Sequence, residues 1–457
     1  MAKLIKTKRG LNIPINGKPA EMIGVASLPK EFALIPDNYT GITPKMLLKA
    51  GDPVKAGTPV FYEKQFPEMN FVSPVSGVIK AVNRGERRKI MSIIIESDEK
   101  MTYESYEKVD YNSMQSGEII RMLQKVGLWA YIKQRPYDVI ANPEKSPKAI
   151  FISSFDSAPL APNNDYVIGG QMADFQIGIN VLAKLAKVNL GVKAGRRSPF
   201  SNVKNAVITE YEGPHPIGNV GIQIAQINPV NKGEVVWTIN PQDVLFIGRF
   251  FNRGIVDFSR TVALAGPCIK APQYYRTLVG ANVEPILQGK ITTSSPHRFI
   301  SGNVLTGIQI RGNGWLDPYA TQITVLDEGN NIHEILGWGM PRIRKFSMSR
   351  TSFSFILESK FVKKIFGNIR YKWDTRLLGG RRAMIMSGEY DKVLPMDIYP
   401  EFLFKAMITE NLEKMEALGA YEIAPEDVAL CEFVCTSKLP LQQIVRNSLD
   451  LMKKELE

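Results

Sequence analysis

Few residues in this sequence have the type and spacing to do chemistry. Cys431 and Cys435 stand four apart in Ala429-Leu430-Cys431-Glu432-Phe433-Val434-Cys435, a spacing that brings both thiols to one face of a helix. A four-thiolate cluster needs two more ligands, and the chain holds only one further cysteine, Cys268. The pair is therefore expected as core, and a metal there requires ligands shared with a partner. His215 lies between Pro214 and Pro216 in a loop bounded by Gly213 and Gly218. An imidazole there could pass a proton, but a hydrogen-bonded turn residue is the expected role. Cys268 and His297 form no local nucleophile–base pattern, and His333-Glu334 lacks the second histidine of a zinc-protease helix. No G-x-S-x-G occurs, no G-x-G-x-x-G follows a strand, and Gly289-Lys290-Ile291 does not make a phosphate loop. Conventional dinucleotide, nucleoside-triphosphate and serine-hydrolase sites are unsupported.

The elements that must carry these residues belong to a large soluble-type chain. Its 457 residues imply three or more domains, and the 44% hydrophobic and 22% charged shares are those of globular proteins. No apolar run approaches the ~18 residues of a bilayer span; Val244–Phe251 and Val262–Ala265 are strand-sized. The opening MAKLIKTKRGLNIPING has no apolar core of a secretory signal, and three cysteines fit a reducing compartment. Charge is uneven. Residues 341–382 hold twelve Lys/Arg against Glu358 and Asp374, a net +10, whereas 383–457 carry a net −7. That contrast predicts an oriented contact with something anionic.

Residues 42–97 read as two short β-hairpins with Gly/Pro turns at Gly51-Asp52-Pro53, Gly57-Thr58-Pro59 and Ser73-Pro74. The pattern resembles the lipoyl/biotinyl hammerhead. The carrier lysine of that family falls at Phe66 here, with Lys64 out of register, so a structural barrel with Phe66-Pro67 as a contact tip is expected. Leu4–Ile23 reads as turns and an edge strand feeding the barrel. Ile119–Val126 is at helical spacing. Strand 149–152, helix 174–188 and strand 205–208 predict a parallel crossover unit. Further on, 261–266 reads as a strand, 273–278 as a helical turn, 302–307 as a hairpin turn, and 321–327 and 333–338 as strands. Residues 402–418 and 441–455 read as helices.

Taken together, the chain resembles the NqrA family, components of the sodium-translocating NADH:quinone oxidoreductases, from near Lys6 to near Leu456. The resemblance rests on Lys8-Arg9-Gly10-Leu11-Asn12-Ile13-Pro14-Ile15 with Gly17, and on Gly213-Pro214-His215-Pro216 with Gly218 and Gly221. Arg382-Ala383-Met384, Leu394-Pro395-Met396-Asp397-Ile398 and Glu426-Asp427-Val428-Ala429-Leu430-Cys431 with Cys435 complete it. It implies a multidomain α+β fold. The parts are a lipoyl/biotinyl-like hammerhead (barrel-sandwich) over 1–110, a Rossmann-like α/β domain over 111–258, and an SLBB-like β-grasp domain over 259–340. A basic connecting segment (341–382) and a C-terminal helical domain (383–457) follow.

The family is similar to RnfC and to the flavin subunit of complex I, which bind FMN and NADH through a glycine-rich loop. Here that place reads Gly127-Leu128-Trp129-Ala130-Tyr131-Ile132-Lys133-Gln134-Arg135-Pro136, and the relatives' cysteines are reduced to Cys431 and Cys435. The resemblance therefore implies a peripheral subunit on the cytoplasmic face of the bacterial inner membrane, with no flavin or iron–sulfur centre of its own. Its complex has six subunits, oxidises NADH, reduces ubiquinone and exports sodium, with flavins and iron centres in or near the other subunits. Trp129, Tyr131, Lys133 and Tyr137 are the candidates for a quinone slot, an apolar cleft with polar donors. Lys363, Lys364, Arg381 and Arg382 are the candidates for docking on an anionic membrane surface or on partner subunits. Two readings compete: a stand-alone flavin/NADH enzyme of RnfC type, and a nucleic-acid binder using Phe346, Phe353, Tyr371 and Trp373 among the basic residues. The acidic tail argues against a nucleic-acid partner.

Overall fold

A computed structural model describes residues 3–108, 110–292, 296–330, 336, 342, 345–347, 352–357, 359–367 and 369–457. The expected strand 333–338, with His333, lies outside the described residues apart from Leu336; so do Arg344, Arg350 and Glu358 of the basic segment.

Two small antiparallel sheets form the hammerhead. One runs in the order Glu31–Leu34, Ile90–Ser97, Gly77–Arg84, Pro53–Val54; the other is Pro44–Met46, Pro59–Glu63, Asn70–Val72. Side chains alternate across a pleated strand, so Ile93 and Ile95 point inward, and Ile95 pairs with Ile79 across the ladder. Phe61 stacks on Phe71 with centroids 4.5 Å apart. At the hairpin tip Lys64 and Pro67 are exposed while Phe66 is half-buried against the core.

The central sheet has seven strands in the order Lys3–Lys6, Val207–Glu212, Val188–Lys193, Ile150–Ser153, Val236–Thr238, Lys133–Arg135, Val139–Ile140. The first five are mutually parallel and the last two form an antiparallel hairpin. Helices Met172–Ala183 and Pro241–Arg253 cross closely on one face. A Cβ on Gly178 would overlap the Val244 carbonyl, and one on Gly248 the Asp174 carbonyl, so only glycine permits this approach. Val244–Phe251 lies inside the second helix and is not a strand; it is apolar on every side because that helix is buried nearly throughout.

A third sheet orders Ile308–Ile310, His297–Ser301, Gln322–Asp327, Ser259–Ala265, Gln273–Leu278 and Ala20–Gly24. Residues 273–278 are thus a strand, not a helical turn. Tyr274, Tyr275 and Thr277 favour the extended state, and the strand pairs with Ser259–Ala265 along its length. The N-terminal stretch likewise departs from expectation. Lys3–Lys6 closes the edge of the α/β sheet and Ala20–Gly24 the edge of the third sheet, so neither feeds the barrel. Both edges gain backbone partners that no local pattern signals.

The C-terminal part packs Tyr390–Val393, Pro400–Ile408, Leu412–Ala417, Ala429–Val434 and Leu441–Leu456 around Leu403, Phe404, Met415 and Leu449. The single helix expected over 402–418 is two. Glu410 takes φ +52°, and the Asn411 side chain then caps the next turn by accepting from the Lys414 N–H. Among the described residues no helix is long and apolar enough to cross a membrane.

Candidate functional site: a polar interdomain cleft

Open α/β sheets bind ligands beyond the carboxyl ends of their parallel strands. Here the ends of Ile150–Ser153 and Val236–Thr238 open into a cleft of about 430 Å³. The barrel contributes Asp37 and Thr40, the third sheet Asp317 and Tyr319, and the C-terminal part Glu426. Among the described residues five carboxylates line it (Asp37, Asp138, Asp156, Asp317 and Glu426) against one ammonium, Lys133. Burial works to raise Asp138, but Lys133, Arg135 and Arg446 outweigh it and hold the carboxyl below its usual range. Burial pushes Asp317 up.

The four quinone candidates do not converge on this cleft. Trp129 and Tyr131 belong to a buried 3-10 turn that follows Gly127, itself at φ +76°. The Trp129 indole N–H donates to the Ala141 carbonyl at 2.7 Å, and its ring meets Trp237 edge-on. Tyr131 packs against Phe246, Phe258 and Tyr319 and reaches the cleft wall. Lys133 also lines the cleft, its ammonium 4.3 Å from the centre of the Tyr319 ring. Tyr137 turns away, buried in the C-terminal core with its ring against Tyr421.

A flavin phosphate does not fit this site. Phosphate is held by close backbone N–H groups and positive potential. The turn that must supply them is filled by two large buried side chains, and the lining is predominantly acidic. Like charges at this range repel more strongly away from bulk water.

At one rim of the cleft His215 takes the hydrogen-bonded turn role. Its Nδ1 lies 3.0 Å from the Ser157 hydroxyl, and its backbone N–H donates to Asn12 Oδ1 at 2.9 Å. The Gly218 N–H donates to the same serine oxygen at 2.8 Å. Burial lowers His215 to about 4, so the ring is neutral and shares one proton with the serine hydroxyl through Nδ1. The motif loop is thereby pinned to the end of the central strand.

Spacing gave no signal for Arg135. Its side chain is 1% exposed; Nη1 pairs with Asp427, whose side chain is wholly buried, and Nη2 lies 2.7 Å from Glu426 Oε1. Gly221 completes the lock, because a Cβ there would overlap the Asp427 carboxylate and the Arg135 guanidinium. The Glu426-Asp427 dipeptide is visible in sequence; its partner 292 residues away is not.

Cys431 and Cys435 are both enclosed in the C-terminal core, with Cys435 Sγ 3.0 Å from the Tyr390 hydroxyl. Burial, foremost, pushes the Cys431 thiol well up. Cys268 is buried under the third sheet. Among the described residues no cluster of three or more His, Cys, Asp or Glu could hold a metal. Of the docking candidates, Lys364, Arg381 and Arg382 are exposed, and Lys363 is described only as a residue of the helix Lys360–Phe366. A second cavity of about 650 Å³ lies between the third sheet, the basic segment and the C-terminal helices, with Ile13, Ile300, Trp373 and Phe433 on its walls. Phe346, Tyr371 and Trp373 pack on one another there rather than forming a free stacking surface.

Comparison with known proteins agrees along the chain. The family described as NqrA N-terminal barrel-sandwich hybrid domain matches residues 5–98, NqrA second alpha/beta domain matches 114–256, and the NQRA C-terminal domain (SLBB) matches 261–312. The NqrA component of the Na(+)-translocating NADH-quinone reductase of Pasteurella multocida is 36% identical, over 99% of this chain and 100% of its own. The component of the same name from Neisseria meningitidis is 37% identical at the same coverage. A solved NAD+-reducing [NiFe]-hydrogenase aligns over 77% of this chain and 72% of its own, at 10% identity and a TM-score of 0.35, too distant to bear on function. With identity of this order along its whole length, the chain belongs to the NqrA family of Na(+)-translocating NADH-quinone reductase subunits.

Proposed function

We propose that the chain is the peripheral, cofactor-free NqrA component of a membrane-bound sodium-pumping NADH:ubiquinone reductase, seated on the cytoplasmic face of the bacterial inner membrane. NADH, flavins, iron centres and ubiquinone are handled in or near the other subunits. The observation that carries this reading is the interdomain cleft. It stands where a nucleotide belongs in such a sheet, yet its phosphate turn is filled by Trp129 and Tyr131 and its lining is acidic. Of the quinone candidates Trp129, Tyr131, Lys133 and Tyr137, Tyr131 and Lys133 line this cleft.

What the chain supplies is a rigid platform. The Tyr319 hydroxyl donates to the Ala130 carbonyl at 2.6 Å, joining the third sheet to the α/β domain. Arg135 joins the α/β domain to the C-terminal helices. An absorbance spectrum of the purified chain tests the reading. It is expected to show aromatic bands alone; a stoichiometric flavin or iron–sulfur band establishes the competing stand-alone enzyme instead.

A further inference from the structure

The short helix Lys360–Phe366 presents large apolar side chains to solvent. A surface helix ordinarily directs its apolar stripe at the core. Here Phe361 is 74% exposed, and Ile365, four residues on and so on the same face, is 57% exposed. Lys364 is exposed beside them. The Ser359 side chain caps the helix by accepting from the Val362 N–H. Just upstream, the 3-10 turn Phe353–Ile356 repeats the inversion: Phe353, Phe355 and Ile356 face solvent while Ser354 is buried. Residues 353–365 thus offer five large apolar side chains to solvent, inside the segment that carries a net +10.

We propose that the turn Phe353–Ile356 and the helix Lys360–Phe366 form an interfacial anchor that enters the headgroup layer of an anionic bilayer. In that layer the exposed Phe and Ile side chains leave water, and Lys364, Arg381 and Arg382 face lipid phosphate. The proposal rests on the peripheral-subunit reading above and names the surface that subunit grips. Phenylalanine and aliphatic residues on one face with lysine beside them compose interfacial helices, and aromatic rings favour the headgroup level. The helix is seven residues long, about 10 Å at 1.5 Å per residue, so burial of this face in lipid is shallow. Charge selects the occupant. Cytoplasmic loops of membrane proteins carry excess Lys and Arg, which repel a +10 segment, whereas an anionic leaflet attracts it.

The test is sedimentation of the purified full chain with vesicles of phosphatidylcholine alone or mixed with phosphatidylglycerol, at low and high salt. The wild type is expected to bind the anionic vesicles and to bind phosphatidylcholine weakly. F361S/I365S should weaken anionic-vesicle binding by at least about tenfold at either salt, because it removes apolar insertion. K364Q/R381Q/R382Q should weaken it by at least about tenfold at low salt and little at high salt. All these side chains are exposed, so unchanged circular dichroism should accompany both variants. A wild type that ignores anionic vesicles overturns the anchor, as does an F361S/I365S variant that binds like the wild type. If the chain fails on vesicles yet co-purifies with membrane subunits, a protein covers this face and the subunit reading stands alone. If it binds vesicles and no membrane subunit co-purifies, the anchor stands and the subunit reading falls.

Discussion

Replacing Arg135 by methionine should loosen the C-terminal helices from the α/β domain. The guanidinium is 1% exposed and forms ion pairs with both Asp427, at 0%, and Glu426, at 2.7 Å. Its Nη1 also reaches the Glu422 carbonyl at 3.4 Å. Methionine keeps the volume but leaves the Asp427 carboxylate buried without its counter-charge. Removing one partner of a buried ion pair costs about 3–5 kcal/mol, whereas replacing both by apolar groups is often nearly neutral. Glu426 is partly exposed and stays hydrated, so the cost falls chiefly on Asp427. R135M alone is therefore expected to lose about 3–5 kcal/mol. R135M/D427L should recover at least about 2 kcal/mol of that, because the stranded charge is gone. A chain of several domains does not unfold in one step, so the assay is native-state hydrogen exchange. Amides of Ala429–Val434 and Leu441–Leu456 report the opening free energy of this interface directly. Unchanged protection in R135M, or a double variant whose loss is the sum of the singles, refutes the lock.

Three further outcomes are expected. Gly221→Ala should destabilise the same helices by about 1–3 kcal/mol through overpacking, although alanine favours a helix by about 1 kcal/mol over glycine; an unchanged exchange profile contradicts the overlap with Asp427. His215 titrates near 4 when folded and near 6.5 when unfolded. Between those values the unfolded chain takes up a proton that the folded chain refuses, so stability falls as pH drops through this window, by up to about 3 kcal/mol. The pH dependence of amide-exchange protection around His215 should flatten in His215→Gln, and an identical slope in both proteins is the contrary result. A thiol reagent should label none of Cys268, Cys431 and Cys435 in the native chain and all three after denaturation, since each is buried; native labelling of Cys431 or Cys435 restores them as ligands for a shared metal.

Local chemistry made part of this molecule legible. Gly/Pro turns flanking apolar runs give the hammerhead hairpins, and compact strands such as Ile150–Ser153 give the parallel sheet. Features whose cause is distant were not legible. The partners of Lys3–Lys6 and Gln273–Leu278 are strands far along the chain or on the far side of a turn, and backbone pairing leaves no mark on side-chain pattern. The helical state of the strand-sized run Val244–Phe251 was hidden because a helix buried nearly all round loses the 3.6-residue rhythm that identifies one. At the cleft, the bulky Trp129 and Tyr131 in place of the relatives' glycines were visible in the sequence. That Trp129 points into the core, and Tyr137 into a different core, depends on which domains meet. The inverted exposure of Phe361 and Ile365 is equally invisible in sequence, since their spacing is that of an ordinary buried stripe.

The central claim is that this chain serves a sodium pump without carrying a redox centre. Its most direct test is affinity purification of the tagged chain from membranes, followed by release of the chain from whatever accompanies it. Co-purified membrane subunits with sodium-stimulated NADH:quinone reductase activity are expected, all flavin remaining with those subunits and none with the released chain. A chain that emerges alone, bears flavin and oxidises NADH by itself contradicts the claim.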